Sequence, residues 1–163
     1  MLSNRLNIDQ LKTALVIPGF INEEEFREVV TEGGHSGKSP GLIILERSYL
    51  TSKELTKVVA DFLHLGFVDL SQTQIDSAVL EEIPQLYAQE HRVVAFARDE
   101  HGLSVALVDP LDQSVIDHLQ KASDHKVQFF AATEEDVDTM LQSYPHDYLQ
   151  QLRNLIVKAS RKN

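Results

Sequence analysis

The chain has 163 residues, a formal net charge of −10 at pH 7 and a hydrophobic content of 42%. This composition supports a hydrophobic core in one domain or in two small ones. The chain contains no cysteine, which excludes disulfides and thiolate metal sites. There is no run of about 18 apolar residues and no apolar segment typical of a signal peptide near the N-terminus, so we predict a cytoplasmic protein without a membrane-spanning helix.

The negative charge is concentrated in the middle of the chain. Lys and Arg number 7 against 9 Asp and Glu in residues 1–65, 4 against 15 in residues 66–145, and 4 against 1 in residues 146–163. An acidic surface repels a phosphate backbone, which disfavours nucleic-acid binding by residues 66–145. We predict three parts with these bounds: a helical tandem-repeat unit, an α/β sandwich unit, and a basic C-terminal helix or linker.

The first part contains a weak internal repeat with an offset of 29 residues. The apolar residues of segment Gln10–Gly33 recur at the same spacings in Ser39–Phe62. Each copy also carries a helix start of the capping-box form at the matching place, Asn22 with Glu25 and Thr51 with Glu54. We predict that each copy is a helix, a turn and a second helix, and that the two copies bury their apolar faces together.

The glycine-rich segment Gly33–Gly41, GGHSGKSPG, lies between the two copies. A phosphate-binding P-loop has a glycine five residues before the glycine of its Gly-Lys pair, and Glu32 occupies that position. No buried strand precedes the segment, and Pro40 interrupts it. We therefore predict a linker here.

Strand-like and helix-like patterns alternate in residues 66–145. At the centre is a predicted β-hairpin, Val93–Pro110, in which two apolar runs flank a polar loop at Gly102. On its second strand, Leu103, Val105 and Leu107 are predicted to face the core. The remaining predicted elements are a strand at 67–70, a helix at 75–89 interrupted by Pro84, a helix at 115–122, a strand at 127–131, a helix starting at Thr133, and a helix at 148–158. The fold class predicted is α+β: a small helical repeat bundle followed by an α/β sandwich with a central hairpin and flanking helices.

The sequence shows no pattern typical of a catalytic or metal site. Its seven histidines lack the HExxH and H-x-x-x-H spacings of zinc ligands. The carboxylates Asp99, Glu100 and Asp109 are typical of solvated turns, and His91 with Arg92 is predicted to cap the preceding helix. No serine lies in a nucleophile elbow. We predict neither a catalytic residue nor a metal ligand.

Two runs in the chain, LGFVDLSQTQID and LEEIPQLYAQEHRVVAFARDEHGLSVALVDPLDQSVIDHLQ, resemble the N-terminal domain of secretion and pilus assembly ATPases. This family includes GspE-type ATPases of the type II secretion system and PilB- and MshE-type ATPases of type IV pili. The features that match are the Phe-Val-Asp-Leu strand, the Ile-Pro…Tyr-Ala…His helix, the hairpin and the closing Asp-Pro. The tandem repeat resembles the MshEN segment of the same family, so the resemblance covers residues 8–144.

Some members of this family bind cyclic di-GMP through two copies of the motif RLGxxLLxxGLLxxxxLxxxLxxQ. The resemblance implies these candidate ligand positions: Gln10, Leu11, Lys12, Gly19, Ser39 and Gly41. Both copies keep the apolar framework, but Gln10 and Ser39 replace the arginines, which would stack on or hydrogen-bond guanine. Lys12 and Ser48 replace glycines of the motif. We predict a scaffold without a bound cofactor, and a divergent cyclic di-GMP site is the alternative.

In this family a separate C-terminal motor domain with Walker motifs hydrolyses the nucleotide, so we predict that this chain is not an enzyme by itself. The resemblance implies a regulatory docking domain that binds the cytoplasmic part of an inner-membrane secretion or pilus protein. Through that partner it would lie at the inner membrane, without direct membrane insertion. A motor ATPase domain in the same or another chain is a second predicted partner. The alternatives are a divergent cyclic di-GMP sensor and a stand-alone regulator with this fold.

Overall fold

A computed structural model describes residues 1–145 together with Arg153 and Ile156. The helix predicted at 148–158 lies outside the described residues, apart from Arg153 and Ile156. The described elements are a 3-10 segment at Leu2–Arg5, α1 (Ile8–Val16), α2 (Glu23–Ser36), α3 (Pro40–Glu46), α4 (Ser52–Phe62), β1 (Gly66–Phe67), a 3-10 segment at Leu70–Gln72, α5 (Ser77–Leu80), α6 (Gln85–His91), β2 (Val93–Asp99), β3 (Gly102–Leu107), α7 (Gln113–Ala122), β4 (Val127–Ala131) and α8 (Glu134–Leu141). Among these helices, none is long and apolar enough to cross a bilayer.

The two copies of the repeat have the same backbone construction. Each consists of a helix, a turn and a second helix, α1 with α2 and α3 with α4. The turns close through equivalent hydrogen bonds: Phe20 N–H donates to Leu15 O at 2.9 Å, and Tyr49 N–H donates to Ile44 O at 3.1 Å. Both predicted capping boxes form at the starts of α2 and α4. The helix–turn–helix prediction for each copy is confirmed.

The linker between the copies is shorter than we predicted. Helix α2 continues through the first two glycines of the segment and ends where Gly37 adopts a left-handed conformation with φ 71°. Helix α3 starts at Pro40, whose fixed φ suits a first helical turn. Glycine lowers helix propensity without forbidding a helix, so residues 37–39 alone connect the copies.

The second half of the chain is built on a four-stranded sheet with the order β1-β4-β3-β2. Strands β1 and β3 pair with β4 in parallel, and β2 pairs with β3 antiparallel. The predicted hairpin is therefore confirmed, but it lies at one side of the sheet, with β3 inside and β2 at the edge. A bulge shifts the register of β2 between Ala95 and Ala97.

Smaller differences from the predicted elements have local causes. The strand predicted at 67–70 is only Gly66–Phe67, because Asp69 caps the following 3-10 segment by accepting a hydrogen bond from Ser71 N–H. The interruption predicted at Pro84 is confirmed: the stretch 75–89 contains two short helices, and Pro84 is the N-cap of the second. Arg92 ends this second helix with a left-handed backbone, φ 52°. Arg92 is the C-cap of this helix, as predicted, because its backbone N–H donates to Ala88 O. Its side chain contacts Asp138 of α8 at 2.6 Å.

Apolar side chains form two buried clusters. One cluster lies among the repeat helices, and the other surrounds the sheet. Leu103, Val105 and Leu107 are buried in the second cluster, as predicted, but Ala106 on the opposite face of β3 is also buried. Ala131 at the end of β4 belongs to the repeat cluster, so the sheet and the repeat are in contact. The domain bounds at residues 65 and 145 stay predictions.

Candidate functional site

The side chain of Gln10 is engaged in capping its own helix. Asn7 N–H donates to Gln10 Oε1 at 3.0 Å, and Gln10 N–H donates to Asn7 Oδ1 at 2.8 Å. These two bonds form a capping box at the start of α1. The residue that replaces the first arginine of the motif therefore has a structural role inside the helix.

Lys12 connects the two helices of the first copy. Its Nζ lies 2.6 Å from Glu23 Oε1 in the first turn of α2. The hydrogen bond from Lys12, with its positive charge, lowers the pKa of the Glu23 carboxyl. The neighbouring Leu11 is 2% exposed and belongs to the core. A phosphate at this place would compete with Glu23 for the ammonium group.

Ser39 and Gly41 lie at the start of α3, beneath the N-terminal segment. Ser39 is the N-cap, and its Oγ accepts a hydrogen bond from Leu42 N–H at 3.4 Å. A Cβ atom on Gly41 would overlap Ser3 Oγ and lie 3.0 Å from Met1 Sδ. Gly41 thus allows the N-terminal segment to pack closely on α3.

Three of the six candidate positions line one cavity of about 580 Å³. They are Leu11, Ser39 and Gly41, and they lie opposite the buried Ser3, whose Oγ has no hydrogen-bond partner in the described part of the chain. Asp9 is the only charged residue among the described residues that line this cavity. The cavity therefore presents hydroxyl and amide groups but no cation to balance a phosphate.

The other three candidate positions, Gln10, Lys12 and Gly19, do not line that cavity. Gly19 lies in the turn after α1 with φ 84°, and no atom would come within 4 Å of an added Cβ. Its role is therefore conformational, since glycine adopts a left-handed backbone without steric cost. The six positions do not converge on a single site.

The turn after α1 exposes two apolar side chains, one of which, Phe20, belongs to the apolar pattern of the repeat. Phe20 is 48% exposed and Ile17 is 77% exposed. The buried residue of the turn is Ile21, which is 1% exposed. Periodicity could not distinguish Phe20 from Ile21, because the left-handed residue at position 19 interrupts the helical spacing.

Polar contacts join the repeat to the α/β unit. Lys53 Nζ lies 2.7 Å from Asp69 Oδ1 and 3.6 Å from Oδ2 of the buried Asp136. The hydrogen bond to Asp69 raises the pKa of Lys53, and the same bond lowers the pKa of Asp69. Arg5 forms an ion pair with Asp109. Asp109, which we predicted to be a solvated turn residue, therefore also links the two halves.

Among the residues that the structure describes, the other predicted solvated carboxylates and the histidines form no recognisable centre. Asp99 accepts a hydrogen bond from His101 N–H at 2.7 Å, as in a polar hairpin loop. In the described part of the chain, no group of three or more His, Cys, Asp or Glu side chains is arranged to hold a metal ion.

Comparison with known proteins identifies the family. The MshEN domain model matches residues 63–152, which is more than half of the chain. This match lies on the α/β unit, whereas the sequence analysis attached the MshEN description to the repeat at 1–65. The resemblance to the N-terminal domain of secretion and pilus ATPases is confirmed.

Relatives of this chain include two type IV pilus assembly ATPases. PilB of Thermus thermophilus is 22% identical over 126 residues, covering 76% of this chain and 14% of PilB. PilB of Myxococcus xanthus is 20% identical over 135 residues, covering 83% of this chain and 24% of PilB. The chain thus spans less than a quarter of the length of either relative.

Two solved structures share the fold. The structure of MshE with cdg superposes with a TM-score of 0.66 at 23% identity, covering 82% of this chain and 97% of that one. The N-terminal domain of XpsE superposes with a TM-score of 0.55 at 17% identity, covering 83% and 94%. These matches confirm a mixed helix and sheet fold like those of MshE and the XpsE N-terminal domain, and the chain belongs to the MshEN domain family.

Proposed function

We propose that this chain is a non-catalytic docking domain that binds the cytoplasmic part of an inner-membrane protein of a secretion or pilus machine. The observation that carries the proposal is the internal use of the polar groups at the motif positions. Gln10 caps α1, Lys12 pairs with Glu23, and Gly41 is covered by Ser3. The family scaffold is retained while the polar groups at the motif positions bond to neighbours within the chain, which favours a role as a binding surface.

Catalysis in this proposal belongs to another part of the machine. The family match concerns the MshEN domain, and the matched region covers 14% and 24% of the two PilB ATPases. A motor ATPase domain, in the same or another chain, would hydrolyse the nucleotide. The chain itself would work in the cytoplasm and reach the membrane through its partner.

The charge of the α/β unit supports electrostatic steering toward a basic partner. Residues 66–145 contain 15 acidic and 4 basic residues, and exposed carboxylates are spread over α6, the hairpin loop and α8, for example Glu90, Glu100 and Glu135. Complementary charge accelerates association and makes it sensitive to ionic strength.

Titration with the cytoplasmic domain of the cognate inner-membrane protein tests the proposal. We expect saturable binding with a micromolar Kd, corresponding to about −8 kcal/mol, and weaker binding as salt increases. Absence of association at tens of micromolar would contradict a docking role.

A cyclic di-GMP sensor is the second candidate. Two observations favour it: the MshE structure of similar fold was determined with cdg, and both helix–turn–helix copies keep their turns. Isothermal titration with cyclic di-GMP separates the two candidates, because a docking scaffold gives no heat while a sensor gives micromolar binding. A stand-alone regulator is a third reading, supported if the gene ends without a Walker A motif downstream.

A further inference from the structure

The turn that follows α1 is an exposed apolar surface. We name residues 17–20 the apolar turn. All four of its residues, Ile17, Pro18, Gly19 and Phe20, are exposed. Exposed apolar residues scattered singly need no explanation, but a contiguous cluster marks a candidate contact for a partner.

The second copy of the repeat is an internal control for this turn. Its equivalent residues are Glu46, Arg47, Ser48 and Tyr49. The turn there closes through matching bonds, since Gly19 N–H donates to Val16 O and Ser48 N–H donates to Leu45 O, both at 3.0 Å. The same turn therefore forms in the second copy with polar side chains. The backbone conformation of the turn does not require the apolar residues of the first copy.

Carboxylates flank the apolar turn on its C-terminal side. Helix α2 begins with Glu23, Glu24 and Glu25. Glu25 serves the capping box and Glu23 pairs with Lys12, while Glu24 is exposed. The three carboxylates outnumber the two neighbouring cations, Lys12 and Arg27, and leave this edge with a net negative charge. A surface of this kind complements an apolar partner segment bordered by Lys or Arg and is repelled by anionic lipid.

We propose that the apolar turn is the docking contact for a basic amphipathic segment of the partner protein. The inference rests on the docking function proposed above and gives it a location and a partner chemistry. Ile17 and Phe20 would supply the buried apolar contact, as aromatic and aliphatic anchors do at other interfaces. Glu24 would contribute charge complementarity at the rim.

The double variant I17E/F20Y tests the contact by placing the residues of the second copy in the first. The second copy folds with these residues, so we expect the variant to fold, as checked by circular dichroism. The variant adds a negative charge, which alone would strengthen binding of a basic partner. A loss of binding therefore reports the apolar contact. We expect the Kd to rise about tenfold, chiefly from the lost burial of Ile17, since Tyr at position 20 keeps the aromatic ring and adds only a hydroxyl.

The control variant is Leu86→Glu, which removes an exposed apolar side chain on α6, 67% exposed. Each variant is titrated with the cytoplasmic domain of the inner-membrane protein and with an amphipathic helical peptide of Leu and Lys, followed by backbone NMR shifts. We expect shifts at residues 17–25 with both probes, and unchanged affinity for Leu86→Glu.

Each outcome separates the contact from the docking function. If the cytoplasmic domain binds the wild type and I17E/F20Y equally, the apolar turn is not the contact, while the docking function stands. In a second outcome, the cytoplasmic domain fails to bind while the Leu–Lys peptide changes the NMR shifts of residues 17–25 and binds I17E/F20Y more weakly. That result would contradict the docking function but support the apolar turn as a contact for basic amphipathic segments. Binding of the wild type to phosphatidylcholine–phosphatidylserine vesicles, lost in I17E/F20Y, would instead assign the turn to lipid and overturn the inference.

Discussion

Gly19 and Ser48, related by the repeat offset of 29 residues, occupy the same left-handed turn position, with φ 84° and 56°. The first copy has the glycine that this backbone favours, and the second copy holds a serine in a conformation that costs L-residues about 1 to 2 kcal/mol. The equivalent hydrogen bonds of the two turns differ in length by 0.2 Å: Phe20 N–H to Leu15 O is 2.9 Å, and Tyr49 N–H to Ile44 O is 3.1 Å. The repeat thus maintains the turn despite the unfavourable residue.

Ser48→Gly is expected to stabilise the protein. Relief of the left-handed strain exceeds the added entropy of the unfolded chain, so the free energy of unfolding should rise by about 0.5 to 1 kcal/mol. Gly19→Ala is the matched change in the first copy and should lower the free energy of unfolding by about 1 kcal/mol. The cost comes from backbone strain alone, since an added Cβ meets no atom within 4 Å. Urea denaturation of both variants checks the pair. Destabilisation by Ser48→Gly would mean that the serine makes a compensating contact.

The sequence predicts the parts of this fold that are governed by local signals. The capping boxes at Asn22 and Thr51, the strand at 127–131 and the hairpin loop at Gly102 depend on residues within a few positions of one another, and all were confirmed. The edge position of β2 was not predictable in this way, because it depends on β4 pairing with β3, as in the pair of Leu103 with Val127, across the intervening helix α7.

At the candidate site, too, the features encoded by nearby residues were predicted and the contacts between distant residues were not. The motif alignment correctly identified repeated turns and helix starts, because these are encoded within each copy. It could not show that Ser3 packs on Gly41, or that Gln10 caps its own helix. Both contacts depend on the 3-10 segment and residue Asn7, which precede the aligned motif.

Gly41→Ala is expected to destabilise the packing of the N-terminal segment. The added Cβ would overlap Ser3 Oγ, and both residues are buried, so overpacking should cost about 1 to 3 kcal/mol in the free energy of unfolding. The double variant Ser3→Gly/Gly41→Ala removes the overlapping hydroxyl and should recover most of that loss. Thermal and urea unfolding measure both.

Gly34→Ala is the control for this experiment. Gly34 lies within α2, and an added Cβ would meet no atom within 4 Å. Alanine is the better helix former, so this change should stabilise by about 0.5 to 1 kcal/mol. Equal effects of alanine at positions 34 and 41 would show that the N-terminal segment does not pack on α3 as described.

Asp69 should make stability depend on pH at the acidic end. Its pKa is lowered by the hydrogen bond from Lys53 and by that from Ser71. A carboxyl with a lowered folded-state pKa contributes stability that is present above its unfolded pKa of about 3.9 and is lost as pH falls through the folded value. Asp69→Asn should therefore be destabilising at pH 7, and its difference from the wild type should shrink below about pH 4.

At alkaline pH, the contribution of the Lys53–Asp69 pair to stability decreases as pH rises, opposite to its dependence at acidic pH. The pKa of Lys53 is raised by the hydrogen bond to Asp69, so its contribution is complete below the unfolded value of about 10.4 and is lost as pH rises through the folded value. Urea unfolding of the wild type and Asp69→Asn at about pH 3, 7 and 11.5 measures the acidic and the basic loss of this contribution. A pH-independent difference between the two proteins would show that the ion pair does not form in solution.

Tyr144→Phe tests the attachment of the end of the described chain to the α/β core. Tyr144 is 4% exposed, and its hydroxyl donates a hydrogen bond to Ile83 O at 3.0 Å, across 61 residues of sequence. Burial of this hydroxyl raises the pKa of Tyr144. Removing the hydroxyl leaves a buried carbonyl without this donor, which should cost about 1 kcal/mol. Tyr49→Phe on the half-exposed turn of the second copy is the control and should change the free energy of unfolding by less than about 0.5 kcal/mol. If the two variants are equally stable, the bond between Tyr144 and Ile83 contributes nothing measurable to the free energy of unfolding.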